Sequence, residues 1–316
     1  MDSDFSHQPV LVDEVVELLA PVPEGLLVDG TVGGGGHAAA VLASHPHLSV
    51  LGLDRDPVAV AAASARLAPF GPRATVIRAR FDHLADAVAD AGVTALSGVL
   101  LDLGVSSPQL DRAERGFSYR HDAPLDMRMD PDDPRTAADL ANQLPEAELA
   151  RLFAANGEGR FARRLARAVV AARPLRTTGQ LADVVRDALP AAVRRHGGHP
   201  ARRVFQALRI AVNDELQVLA DTLPRAVDLL RPGGRLVVIA YHSGEDRLVK
   251  AALAEAVTGG CQCPPGLPCV CGAVPAGRLV FRGARRPSPA EVAANRRSES
   301  ARLRALERVA PGTGER

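Results

Sequence analysis

Apolar residues near the start of the chain come in short runs that end in an acid. Leu26-Leu-Val-Asp29 leads into Gly30, Leu48-Ser-Val-Leu-Gly-Leu ends at Asp54, and Gly98-Val-Leu-Leu ends at Asp102. Runs of this length bounded by turn residues read as strands buried on both faces. Ala74-Thr-Val-Ile-Arg78 reads as a further strand. Segments 37–42 and 57–67 lie between these strands with helical composition, the second opened by Pro57. Strands alternating with helices predict an α/β fold with a doubly wound parallel sheet. The next strong run, 235–241, comes only after a long gap, behind the helix-stop and turn signal Arg231-Pro-Gly-Gly234. That gap is helical in pattern, as at 147–155 and 161–172. The pattern predicts a helical insertion domain over 112–205, with 1–111 and 206–316 forming one discontinuous α/β domain. Within the second part, 205–230 predicts one long amphipathic helix and 288–308 a terminal helix.

Composition changes the picture little. With 316 residues and 47% hydrophobic content the chain can bury a large core. Aromatics are 3% and Trp is absent, so Ala, Val and Leu must fill that core. A net charge of +1 neither supports nor excludes a nucleic-acid partner. No stretch approaches the roughly 20 apolar residues of a membrane span, and residues 1–9 lack the basic start and apolar run of a signal peptide. The four cysteines sit together at 261–271 instead of being spread as in a secreted disulfide scaffold. These features predict a cytoplasmic protein.

Candidate chemistry lies at the strand ends. In open parallel sheets, ligands bind beyond the carboxyl ends of the strands. Asp29, Asp54 and Asp102 fall there, and Gly33 to Gly36 follow the first strand. A glycine loop lets backbone approach a ligand, and the helix behind it adds a positive dipole. Gly33-x-Gly35-x-x-Ala38 also fits a dinucleotide fingerprint. The charges favour another ligand: an acid before the glycine loop repels a pyrophosphate, whereas a sulfonium and an α-ammonium suit acidic surroundings. The sequence therefore favours S-adenosylmethionine over a dinucleotide, with an NAD-dependent oxidoreductase as the rival reading. Asp54 is suited to accept hydrogen bonds from ribose hydroxyls.

More specific motifs follow in order: His7-Gln-Pro-Val-Leu11, Asp29-Gly-Thr-Val-Gly-Gly-Gly-Gly-His37, Asp102-Leu-Gly-Val-Ser-Ser-Pro-Gln-Leu-Asp111, Arg115-Gly-Phe-Ser-Tyr119, Pro124-Leu-Asp-Met-Arg-Met129, Phe205-Gln-Ala-Leu-Arg-Ile210, Val212-Asn-Asp-Glu-Leu216 and His242-Ser243. With these the chain resembles the RsmH family, also called MraW, from His7 to about Arg304. The resemblance implies a Rossmann-like methyltransferase that methylates the N4 amine of a cytosine in 16S ribosomal RNA of the small subunit. It also implies a donor site of Gly35, Gly36, His37, Asp54, Phe81, Asp102 and Gln109, with Phe81 packing near the adenine. The chain departs from the pattern at four points. Tyr241 stands where the family usually has Phe, Gly244 where it usually has Leu, Arg296 where Pro is usual, and Glu299 where a basic residue is usual.

Cytosine N4 is a poor nucleophile because its lone pair is delocalised into the ring. Acceptors facing its N–H groups would turn that lone pair toward the methyl group; Asp102, the candidate catalytic residue, and backbone carbonyls of the loop 103–108 are well placed for this by sequence order. His242 and Ser243 end the fifth strand and are candidates to line the base pocket; the competing reading is a capped helix start with a salt bridge. The base must be single-stranded or flipped from its stack to be reached. Three arginine groups suit phosphate contact: Arg160, Arg163, Arg164, Arg167 and Arg173; Arg194, Arg195, Arg202 and Arg203 with His196 and His199; and Arg282, Arg285, Arg286, Arg296 and Arg297. A non-catalytic ribosome-assembly factor and an amine methylase acting on DNA or protein remain alternatives, and both monomer and homodimer fit. Cys261, Cys263, Cys269 and Cys271 could bind zinc, but one residue within each pair is shorter than the usual spacing. The sequence reading assigns no metal.

Overall fold

The four apolar runs form β1 (Gly25–Asp29), β2 (Leu48–Asp54), β3 (Ala74–Arg78) and β4 (Leu96–Asp102), joined by β5 (Leu230–Ala240) in a parallel array. This is a computed structural model, and it describes residues 9–191, 199, 201–264 and 270–310. His7, Arg194, Arg195, His196 and Cys269 lie outside the described residues. Two further strands, β6 (Gly277–Leu279) and β7 (Arg302–Arg308), complete the sheet in the order β3-β2-β1-β4-β5-β7-β6, with β7 antiparallel to both neighbours. The fold is the α/β, Rossmann-like class expected.

Side chains alternate across the sheet, and both faces are covered. Leu27, Leu100, Val237 and Ile239 join one buried cluster, while Val28, Val99, Leu101 and Val238 join the other. Double-sided burial is why these strands read as unbroken apolar runs. The chain divides into two compact units, Met1–Gly104 with Leu216–Arg316, and Val105–Glu215. The first holds the sheet. The second is helical around its own core, which includes Leu149, Phe153, Leu165, Val169, Leu181 and Phe205. Among the described residues no helix is long and apolar enough to cross a membrane.

Three local expectations need correction. The segment 205–230 is two helices, Arg202–Val212 and Glu215–Leu229. The break has a physical cause. Asp214 takes a left-handed φ of 50°. The buried Asn213 amide donates to Met127 O and Arg209 O and accepts the Met129 N–H, each at 2.8 Å. Those bonds also hold the Met127 backbone at a φ of 62°, an uncommon conformation for a side-chain-bearing residue. The segment 288–308 is helical only at Pro289–Ala294, capped by Ser288. It passes through a 3₁₀ turn, Arg296–Ser300, and ends as β7. Pairing with β5 buries Leu303, Ala305 and Leu306, and this burial outweighs the helical preference of Arg-Leu-Arg-Ala-Leu-Glu-Arg. Finally, Arg231-Pro-Gly-Gly234 is a bulge inside β5 rather than a turn before it. Pairing with β4 jumps from Leu96–Leu230 to Gly98–Arg235, and Gly233 supplies a φ of 82°.

Candidate functional site

The carboxyl ends of β1, β2 and β4 each deliver an acid to one edge of the sheet. Asp29 is 1% exposed, and its carboxylate accepts the Thr31 N–H at 3.2 Å. Thr31 in turn accepts the Asp102 N–H through Oγ1 at 2.6 Å, tying the loop after β1 to the end of β4. Asp54 fastens the glycine loop to β2: its two oxygens accept the N–H groups of Gly33 (3.0 Å) and Asp56 (2.9 Å). Gly35 caps the following helix, Gly36–Ser44, at a φ of 75°. A Cβ at Gly35 would lie 3.2 Å from the Ala63 backbone, so this turn requires glycine.

Burial dominates the electrostatics of this edge. It pushes the Asp29 carboxyl up to about 7 against the opposing charge of His37 and the Thr31 hydrogen bond. It pushes Asp54 up to about 6 despite the two backbone donors. Asp102 is raised as well, mainly by burial, with His37 and Tyr241 opposing. A cationic ligand would restore the ionised forms; an anionic one would drive them further toward neutrality.

His37 and Tyr241 flank Asp102. His37 is buried, and its Nε2 meets Val10 O at 2.8 Å. A carbonyl only accepts, so Nε2 carries the proton. Nδ1 then faces Asp102 Oδ2 at 3.7 Å. On the other side the Tyr241 hydroxyl donates to Asp102 Oδ1 at 2.8 Å. Burial, followed by the Asp102 charge, holds that phenol well above its usual range, so it acts as a donor and not as a base.

His242 and Ser243 open the helix Ser243–Thr258. His242 Nδ1 accepts the N–H groups of Gly244 (3.1 Å) and Glu245 (3.4 Å). The buried Glu245 carboxylate accepts the N–H groups of Tyr241 and His242 at 2.8 and 3.1 Å. His242 Nε2 lies 3.1 Å from Glu245 Oε1, close but poorly aligned as a hydrogen bond. This is the capping geometry weighed against a base-pocket role. Ser243 is exposed in the first turn of the helix.

Among the expected donor residues, Gly35, Gly36, His37, Asp54, Phe81 and Asp102 all belong to the sheet-bearing unit. Phe81 starts a short 3₁₀ turn after β3 and is partly buried against the core; a Cβ added at Gly30 would lie 3.0 Å from its Cβ. Gln109 belongs to the helical unit, in the short helix Ser107–Asp111, where it is buried and accepts the Ser106 N–H. Sequence reasoning missed Thr31 and the Tyr241 hydroxyl. Thr31 is visible in Asp-Gly-Thr only as a motif letter, whereas Tyr241 is flagged by its departure from the usual Phe.

The arginine groups divide between exposed side chains and ones held by the fold. Arg163 and Arg164 are exposed on the helix Ala162–Ala171, whose opposite face buries Leu165 and Val169. Arg173 is committed to structure, donating to the carbonyls of Ala141 and Leu144. Arg285 pairs with Glu17 at 3.2 Å and lies over the Phe281 ring. Arg203 pairs with Glu158 at 3.8 Å.

An acidic, glycine-approached edge fits the chemistry of S-adenosylmethionine. The sulfonium and ammonium would meet carboxylates, and each Asp54 oxygen has a further lone pair for a ribose hydroxyl. Comparison with known proteins agrees. The MraW methylase family model matches residues 4–309. The "Ribosomal RNA small subunit methyltransferase H" of Symbiobacterium thermophilum is 54% identical over 313 residues, covering 98% of each chain. The protein of the same name from Heliobacterium modesticaldum is 52% identical, covering 96% of this chain and 99% of that protein. That of Thermobifida fusca is 52% identical, covering 96% and 94%.

Proposed function

Because the chain belongs to the MraW methylase family, we propose that it methylates the N4 amine of a cytosine in the 16S RNA of the small ribosomal subunit. The chain is an S-adenosylmethionine-dependent methyltransferase. The observation that carries the reading is the trio Asp29, Asp54 and Asp102 at one sheet edge, with burial raising all three carboxyls. Such a cluster is costly unless a cation joins it.

The donor supplies an electrophilic methyl group on a sulfonium. Asp54 holds the ribose through the oxygen lone pairs left beside Gly33 and Asp56. Gly35 and Gly36 admit the ligand close to backbone, and Phe81 offers an apolar face to the adenine. Gln109 is a further donor-site residue by motif. Asp102 accepts an N–H of the target amine, so the nitrogen lone pair turns toward the methyl group. The Tyr241 hydroxyl holds Oδ1 of that carboxylate, leaving Oδ2 toward His37 and the substrate. In-line positioning of this kind supplies much of the rate gain when the leaving group is already activated. His242 and Ser243 line the base pocket from a helix start fixed by Glu245.

The helical unit, which carries the exposed Arg163 and Arg164, contacts the RNA backbone. Charge reversal at both is expected to weaken RNA binding about tenfold or more at low salt while leaving donor affinity unchanged. Unchanged RNA affinity in a filter-binding assay would remove this unit from the reading. The whole function is tested with isotopically labelled S-adenosylmethionine, purified protein and small subunits from a strain lacking this gene. Nuclease digestion and mass spectrometry should find label on cytosine N4. Tight donor binding with active subunits and no label would overturn the assignment in favour of a non-catalytic assembly role or another substrate.

A further inference from the structure

The helix Ser243–Thr258 ends at Gly259 in a left-handed cap with a φ of 61°. A Cβ there would lie 2.4 Å from the Val274 carbonyl, so the chain leaving the helix and the chain returning to it touch at this point. Both feet of the loop are pinned: Cys261 N–H donates to Thr258 O at 3.2 Å, and Ala276 N–H donates to Ala256 O at 2.7 Å. Between the feet the described residues offer little core. Val270 is 89% exposed and Val274 63%. Cysteine is ordinarily among the most buried residue types. Here Cys261 and Cys263 are half-buried and Cys271 is exposed, yet their three Sγ atoms lie within 4.8 Å of one another.

We propose that Cys261, Cys263 and Cys271 hold one zinc ion as thiolates, clamping this loop. Zinc–sulfur bonds of about 2.3 Å set two ligands of a tetrahedral site about 3.8 Å apart. Cys261 Sγ and Cys271 Sγ are 3.6 Å apart. A disulfide would require about 2.05 Å. Soft thiolates and a tetrahedral arrangement select zinc over magnesium or calcium. The one-residue spacing of Cys261 and Cys263 is shorter than the usual pair, but the structure brings their sulfurs within ligand range. Binding converts three thiols to thiolates and releases three protons to solvent, so affinity falls in acid. The fourth position is left to a further donor such as water. The clamp ties the described residues on either side of the loop, Cys261 and Cys263 to Cys271, through one ion. It is independent of the methyl-transfer reading.

The full chain, purified under reducing conditions from zinc-supplemented medium, should carry about one zinc per chain by elemental analysis, and Cys261→Ser, Cys263→Ser and Cys271→Ser should each lower this several-fold. Circular dichroism checks that the variants fold. Should they not, mercurial titration of the wild-type thiols with a zinc-sensitive dye reads the same site, with zinc released as the thiols are consumed. Anaerobic loading with cobalt should add thiolate-to-cobalt charge-transfer bands. Wild-type protein that takes up no zinc under anaerobic reconstitution would overturn the proposal, as would zinc retained at the wild-type level in folded Cys→Ser variants.

Discussion

Two groups of acids in the sheet-bearing unit receive opposite treatment. On the antiparallel flank, Asp246 accepts hydrogen bonds from Arg302 and Arg304, with closest distances of 2.9 and 2.8 Å. Glu307 is shared by Arg235 and Arg278 at 2.8 and 2.7 Å. Burial opposes ionisation at both, but the arginine hydrogen bonds and charges outweigh it and hold both carboxyls below their usual range. At the carboxyl edge, backbone donors, the Tyr241 phenol, the His37 imidazole and the weaker charge of Arg55 oppose burial at Asp29, Asp54 and Asp102, and all three are still raised. The flank acids are neutralised by the protein itself and serve the fold. On the proposed function, the edge acids are completed by the cationic donor. Acid content alone would not separate the groups; the arginine hydrogen bonds made directly to the flank carboxylates do.

The comparison breaks most sharply at Asp102. In Asp102→Asn the remaining amide oxygen can still accept from Tyr241, so the geometry is kept and the charge is lost. Turnover at saturating donor is expected to fall about a hundredfold to a thousandfold, the range for losing one preorganised electrostatic contact. Single-turnover methylation of small subunits is the measurement. Normal turnover would move Asp102 to the structural group.

The flank should behave the other way. Arg304 donates to both Asp246 oxygens and to Gly283 O, with its side chain 16% exposed. Arg304→Ala leaves the nearly buried Asp246 carboxylate with Arg302 alone and is expected to cost about 1–2 kcal/mol of stability, a few degrees in the melting midpoint. Donor affinity by calorimetry should stay within about twofold, since no flank charge is reserved for the ligand. A large loss of donor affinity without destabilisation would erase the distinction between the two groups.

Much of this was legible in the sequence, for a definite reason. Parallel strands buried on both faces write unbroken apolar runs, and Asp29, Asp54 and Asp102 punctuate three of them. The flank was less legible. Arg302–Arg308 has helix-favouring residues, and only its position beside the open edge of β5 makes it a strand. The break at Asn213 was hidden because Val212 and Leu216 keep the apolar spacing going across it. The Asn-Asp pair, tolerant of left-handed backbone, was the available signal. The contact between Tyr241 and Asp102 spans 139 positions, and nothing in local pattern predicts it.

Acidity should move the two groups in opposite directions. Asp29 and Asp54 have folded values of about 7 and about 6, raised from 3.8. Their contribution to the stability of the ligand-free protein is therefore fully present below the unfolded value and is lost as pH rises through 6 and 7. Asp246 and Glu307 are lowered, so theirs is present above the unfolded values and is lost as pH falls through the folded ones. Binding a cationic donor favours the ionised edge acids. Donor affinity should therefore strengthen about tenfold between pH 5.5 and 8, with protons released on binding near pH 6.5. Calorimetry in buffers of different ionisation enthalpy reads the release. Proton uptake, or affinity flat across this range, would contradict a site completed by a cation.

The smallest expected effect makes the finest test. Tyr241→Phe restores the residue usual in the resembled family, so the ring's packing beside Gly104 survives and only the hydroxyl is lost. That hydroxyl donates to Asp102 and lowers its pKa against the burial that raises it. Without it the carboxyl titrates higher still. On the alkaline plateau of the rate profile, turnover should fall about threefold or less, as for one hydrogen bond of modest net worth. Below the plateau the loss should widen as pH falls, because the acid limb of the rate profile moves to higher pH while donor affinity changes little. A merely structural tyrosine would instead scale turnover equally at every pH. A parallel pH profile in Tyr241→Phe would thus remove Tyr241 as the positioning residue for Asp102, while leaving the larger Asp102→Asn prediction standing.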